Sequence, residues 1–173
     1  MKHIILTGLP GIGKTTLIKK LIEGKEGIRG FFTEEIREGG VRKGFKLLTL
    51  SGKEAILAHE SFSSSYRVGK YGVDLRAFED IGVGEIEEGI KEGSPLIVID
   101  EIGKMELYSE KFIKVLFRAL DSSKVLATMG RINHPVIAAI RKRSDVRIIE
   151  VTLTNRNELP HQLKSFHSSS PSE

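Results

Sequence analysis

The stretch "LTGLPGIGKTTL", residues 6–17, sets three glycines, a proline, a lysine and two adjacent threonines behind the apolar run "IIL". Within it, "GLPGIGKT" (8–15) satisfies the pattern G-x-x-x-x-G-K-[ST] in full. It also follows a predicted strand and opens a predicted helix, the context the pattern requires. Each residue type has a physical reason. Gly8, Gly11 and Gly13 let the backbone turn and approach an anion without Cβ clashes. The successive N–H groups form a nest for phosphate oxygens, reinforced by the positive end of the following helix. Lys14 supplies a point charge for the terminal phosphates of a nucleoside triphosphate, and Thr15 offers a hydroxyl to Mg²⁺.

Such a loop needs a carboxylate at the tip of a neighbouring strand to hold the metal's water shell. "LIVIDE" (96–101) supplies one: Asp100 follows an apolar run and so ends a buried strand, where phosphate sites of open α/β sheets lie. Thr15 and Asp100 are therefore the candidate metal residues. Glu101 follows directly and is a candidate general base for a water; an exposed charge with no role is the plainer alternative.

Outward from these segments, the pattern alternates. "HIILTG" (3–8), "PLIVIDE" (95–101), "KVLATM" (124–129) and "VRIIEVT" (146–152) read as buried strands. Residues 14–24, 75–93, 111–120 and 134–143 carry helical apolar spacing, the second with a glycine interruption, and 155–166 reads as a broken final helix. This predicts an α/β fold, a mainly parallel sheet with helices on both faces. Residues 30–59 change character: apolar runs flank Gly39-Gly40, and "SGK" introduces another, which predicts an antiparallel β-meander insertion. One domain over 1–164 is expected, with a frayed tail at 165–173.

The composition fits that frame. The 173 residues are 39% apolar and 29% charged, the balance of a soluble globular domain. The formal charge of +4 is spread along the chain. It suits a small polyanion such as a nucleotide, and favours no dedicated nucleic-acid face. With no cysteine, disulfides, thiolate catalysis and cysteine-held metals are excluded. No stretch approaches a membrane span or a signal peptide, so a cytoplasmic monomer is expected.

"DEIGKMEL" (100–107), together with "FFTEEIREGG", "GFKLLTLSG" and "RVGKYGVDL", resembles the small nucleoside-triphosphatases of hyperthermophiles, the cancer-related nucleoside-triphosphatase family of animals. The resemblance runs from residue 3 to about residue 160. It implies a nucleotide-kinase-like P-loop fold and Mg²⁺-dependent hydrolysis of ATP, GTP, CTP and UTP to diphosphates. It further implies that Gly8, Leu9, Pro10, Gly11, Ile12, Gly13, Lys14, Thr15 and neighbouring Thr16 line the nucleotide site. Ile97, Val98, Ile99, Asp100, Glu101, Ile102, Gly103 and Lys104 would form its other side.

Hydrolysis needs a further cation on the developing charge. Arg37 in "TEEIR", Arg67 in "RVGKY" and Lys104 in "DEIGK" are candidates, although for each a surface ion pair is the plainer reading. Asn155 and Arg156 follow the last strand, where kinase-like folds hold the base; capping a helix is the alternative. Two other functions compete. "GLPGIGK" also matches the G-x-P-G-x-G-K form of nucleotide kinases, with transfer to a nucleoside, a nucleotide or a nucleic-acid end. "DEIG" fits the D-x-x-G pattern of nucleotide-dependent switches, but "TNRN" lacks the lysine and aspartate of the guanine-reading motif.

Overall fold

The computed structural model describes residues 2–167. The chain opens with β1 (His3–Thr7) and α1 (Lys14–Ile22). An antiparallel run follows: β2 (Arg29–Glu38), β3 (Val41–Thr49), β4 (Glu54–His59), β5 (Arg67–Val68) and β6 (Tyr71–Val73). The helical stretch comprises α2 (Leu75–Ala77), a π-helical turn (Phe78–Val83) and α3 (Gly84–Glu92). Then come β7 (Ile97–Ile102), α4 (Glu110–Ser122), β8 (Val125–Met129), α5 (Pro135–Arg141), β9 (Val146–Glu150) and α6 (Leu159–Gln162). A 3-10 turn, Lys164–His167, ends the described chain, and residues 168–173 of the expected tail lie outside it.

The strands form one sheet in the order β5-β6-β4-β3-β2-β7-β8-β1-β9. Its core, β2-β7-β8-β1-β9, is parallel throughout. The antiparallel meander is present over 29–59, and its first strand, β2, also pairs in parallel with β7 at the centre of the sheet. Strands β3, β4, β6 and β5 extend that sheet antiparallel.

Alternation along each strand divides the core between the two faces. Ile5, Phe31, Ile97, Ile99 and Ala127 pack with residues of α3, α4 and α5, including Ile86, Phe112 and Ile137. Ile4, Leu6, Phe32, Val98 and Leu126 pack with Leu17, Ile18 and Leu21 of α1 and Leu159 of α6. On the first face Phe78, from the π-helical turn, meets Phe31 and Phe112 at centroid distances of 5.7 and 5.3 Å. That turn is the glycine interruption of the sequence: Gly82 leaves room for the Phe78 ring, which a Cβ would approach to 2.9 Å.

The β2–β7 seam depends on Gly30. Its φ is +128°, and a Cβ there would lie 1.9 Å from the Val98 carbonyl oxygen. Buried Glu85 of α3 closes the same corner, accepting hydrogen bonds from Arg29 Nη1 at 3.1 Å, Ser51 Oγ at 2.7 Å and the Gly30 N–H at 3.3 Å.

His3 is fully buried at the start of β1. Its Nε2 donates to the Leu120 carbonyl at 2.8 Å, and its Nδ1 accepts the Val125 N–H at 3.0 Å, the arrangement of a neutral ring. Burial lowers its pKa below 6.5, partly offset by the Leu120 hydrogen bond and by Asp145. Above about pH 6.5 the ring is neutral in both folded and unfolded chains. Below it the unfolded chain takes up a proton that the folded chain resists, so stability falls as the pH drops from 6.5 toward the lower folded value. Urea midpoints at pH 7.5 and 5.5 are expected to show this decline in the parent and a smaller one in His3→Gln. Equal declines would overturn the assignment.

Candidate active site

Between β1 and α1, Gly8, Gly11 and Gly13 take φ values of +148°, +78° and +112°, which side chains with a Cβ rarely adopt. The start of the loop is clamped to the chain after β9: the Val151 N–H donates to the Thr7 carbonyl at 2.8 Å. Lys14 arches back over the loop, and its Nζ donates to the Gly8 carbonyl at 2.6 Å. The loop thus closes on itself around a lysine at the N-terminus of α1, with the helix dipole and free N–H groups facing the same space.

Thr15 Oγ1 donates to Asp100 Oδ2 at 2.6 Å, and Thr128 Oγ1 donates to Asp100 Oδ1 at 2.6 Å. The expectation that Asp100 ends a strand neighbouring β1 is corrected here. β8 lies between β1 and β7, and Thr128 at its end bridges the gap. Asp100 is 4% exposed; burial raises its pKa, opposed by the Thr128 and Thr15 hydrogen bonds and the charge of Lys14. Its peptide bond to Glu101 is cis.

Glu101 is half-buried beside it. Its carboxylate is bordered by two glycines: a Cβ at Gly103 would lie 2.5 Å from Glu101 Oε1, and one at Gly130 3.6 Å from it. Burial raises its pKa, Lys14 lowers it, and the charge of Asp100 raises it again. A third carboxyl, Glu106, is 4% exposed in the same cavity. Burial first, then the charges of Glu101 and Asp100, push it up to about 8, so it is mostly protonated at neutral pH.

These groups line a cavity of about 400 Å³ between the loop, the ends of β7 and β8, and the meander. Lys14, Thr15, Asp100, Glu101, Gly103 and Lys104 face it from one side; Glu35, Arg42 and Phe45 face it from the other. A larger cavity of about 620 Å³ lies over residues 61–66 and 73–76, away from the loop. The phosphate-loop cavity is the candidate site because, among the described residues, it brings anion donors together with convergent carboxylates.

The model of a family described as NTPase matches residues 3–164. The chain belongs to the NTPase family. It is 50% identical over 163 residues to nucleoside-triphosphatase THEP1 of Thermotoga sp. (strain RQ2), covering 94% of this chain and 93% of the relative. It is also similar to the crystal structure of THEP1 from the hyperthermophile Aquifex aeolicus, with a TM-score of 0.84 at 37% identity, covering 93% of this chain and 96% of that one. The solution structure of a human cancer-related nucleoside triphosphatase matches with a TM-score of 0.82 at 36% identity, covering 99% and 100% of the two chains.

In this NTPase-family chain the remaining sequence candidates separate. Ile97, Val98, Ile99 and Ile102 are fully buried in β7 and support the site from beneath. Pro10 and Gly11 reach the cavity, whereas Leu9 is exposed. Ile12, Gly13, Thr16 and Arg156 line a separate cavity of about 310 Å³ on the far side of the loop, with Asn157 and Pro160. Arg156 Nη1 donates to the Ile12 carbonyl at 3.4 Å. Asn155 is occupied by its own turn, accepting from the Thr152 N–H and donating to the Glu150 carbonyl, both at 2.8 Å.

Arg37 and Arg67 do not line the phosphate cavity. Arg37 pairs with Glu35 at 2.7 Å and donates to the Gly40 carbonyl at the hairpin tip, at 3.0 Å. Arg67 donates to the Phe62 and Lys70 carbonyls at 2.9 and 2.7 Å. Sequence reasoning passed over Thr128, Arg42 and Glu106. For Thr128 a signal existed, a hydroxyl at the end of the apolar strand "KVLATM"; for Glu106 it was membership of "DEIGKMEL".

Proposed function

We propose that this chain hydrolyses nucleoside triphosphates to the diphosphate and phosphate, depends on Mg²⁺, and accepts all four common bases. The observation that carries this reading is the Thr15–Asp100 contact of 2.6 Å at the mouth of the phosphate loop, with Glu101 next to it. A hydroxyl and a carboxylate are hard oxygen donors, the kind Mg²⁺ takes while keeping several waters and phosphate oxygens. The residues fit the ion. When bound, Mg²⁺ neutralises charge developing on the β- and γ-oxygens.

The chain's own residues do the rest. The loop N–H groups and Lys14 hold the terminal phosphates. Asp100, fixed by two threonine hydroxyls, would hold the ion together with Thr15. Glu101 accepts a hydrogen bond from the attacking water. The water oxygen bonds to the γ-phosphorus as the bond to the β,γ-bridging oxygen breaks. The water's proton passes toward Glu101, and diphosphate and phosphate leave.

Broad base tolerance is supported by the phosphate loop, whose backbone and lysine hold phosphates and contact no base; Asn155 gives one amide N–H and one carbonyl lone pair to its own turn. Phosphate release from ATP, GTP, CTP and UTP at equal Mg²⁺ is expected to agree within about tenfold. A site built to hydrogen-bond one base edge would discriminate by on the order of 10⁴-fold, and such a preference would sink this reading. One observation favours transfer to a second acceptor. A cavity of about 510 Å³ lined by Lys104, Arg131 and His134 adjoins the phosphate cavity through Lys104 and Ile132. The same assay with labelled γ-phosphate and added nucleosides or nucleotides distinguishes the two, since acceptor-dependent label transfer would replace free phosphate.

A further inference from the structure

We infer that Arg42 is the second cation of the phosphate cavity, the group that stabilises charge on the transferring phosphoryl, and that Glu35 and Tyr71 are its positioning residues. This rests on the hydrolytic reading above and names a residue that it leaves out.

Arg42 faces the cavity from β3, across from the wall formed by Lys14, Asp100 and Glu101. Its guanidinium is braced on several sides. Nε donates to the Tyr71 hydroxyl at 2.9 Å, and Nη1 donates to Glu35 Oε1 at 3.2 Å. The guanidinium carbon lies 5.2 Å from the Phe45 ring centroid and 5.4 Å from that of Tyr71. Tyr71 is itself buried, packed edge-on against Phe45 at 5.3 Å. Glu35 is held from behind by Arg37, whose Nε donates to Oε2 at 2.9 Å. Among the described residues Nη2 has no hydrogen-bond partner, which leaves a planar pair of N–H donors for a ligand.

That arrangement matches what phosphoryl transfer needs. Charge in the transition state spreads over the equatorial γ-oxygens, and cations on the loop side leave the meander side of the phosphoryl to Arg42. A guanidinium presents a rigid fork to phosphate oxygens, and fixing its orientation beforehand avoids reorganisation during the reaction. Lys104, a third cation on the cavity, is exposed as Arg42 is, but among the described residues it has no ion pair or side-chain hydrogen bond to fix its direction. The hairpin register explains why Arg42 and not Arg37 is placed. The two lie opposite each other across a bulge at Ile36/Arg37, with Glu35 between their charges, and Arg37 turns to the tip while Arg42 stacks on Phe45 and Tyr71.

The test measures single-turnover phosphate release, nucleotide affinity and urea midpoint for the parent, Arg42→Ala, Arg42→Lys, Tyr71→Phe and Lys14→Ala. Arg42→Ala is expected to slow the chemical step by on the order of 10²-fold while affinity and midpoint stay close to the parent. Arg42→Lys should recover little, because an ammonium has no fork and cannot be held by both braces. Tyr71→Phe should fall between parent and Arg42→Ala. The inference is overturned if Arg42→Ala turns over within a few-fold of an active parent, or if its rate falls only in step with affinity and midpoint. An inactive parent would instead remove the hydrolytic reading and this inference with it.

Discussion

Glu101→Gln is expected to slow single-turnover hydrolysis by on the order of 10²–10⁴-fold, the usual loss when a general base is removed. That is about 3–5 kcal/mol of barrier. The amide keeps the shape and can still hydrogen-bond, so the space beside Gly103 that a Cβ would invade remains filled in the same way. It cannot take the water's proton. Nucleotide affinity should stay within a few-fold of the parent, because the loop, Lys14 and the Thr15–Asp100 pair are untouched. Hydrolysis within a few-fold of the parent would mean that another group accepts the proton, or that the water is oriented without a base.

Lys14→Ala is expected to weaken both nucleotide binding and turnover, a different signature from that of Glu101→Gln. Lys14 carries the charge closest to the loop, and its Nζ sits over the Gly8 carbonyl. Truncating one partner of such a charged contact costs about 2–5 kcal/mol. That amounts to roughly 30-fold to several-thousand-fold in rate. The fold should survive, since Lys14 belongs to neither apolar cluster. Unchanged phosphate release in a variant with the parent's urea midpoint would remove Lys14 from the mechanism.

Much of the architecture was legible because it is written locally. Strand-then-helix periodicity predicted four of the five strands of the parallel core, β1, β7, β8 and β9, and the helices between them within a few residues of their spans, whereas the final helix expected over 155–166 is the short α6 and a 3-10 turn. The meander shows where this stops. Its hairpins are readable from Gly39-Gly40 and the following "SGK", but nothing in residues 30–59 announces that β2 joins the parallel core beside β7. That follows from Gly30, whose lack of a Cβ lets the chain approach the Val98 carbonyl, a contact visible only once both strands are in place.

The candidate site divides in the same way. The shape of the phosphate loop was determined by the sequence alone, since eight consecutive residues hold the glycines that take positive φ and the lysine and threonine that follow. The charge facing that loop was decided by tertiary structure. Thr15 and Asp100 are 85 positions apart, and β8 comes between their strands, adding Thr128 as a second donor. Three arginines on the meander side look equivalent in sequence. A bulge, a hairpin register and a tyrosine 29 residues away give Arg42 the cavity, while Arg37 and Arg67 bond local carbonyls. Backbone conformation depends on neighbours along the chain, whereas the direction of a long charged side chain depends on which distant groups the fold brings within hydrogen-bond reach.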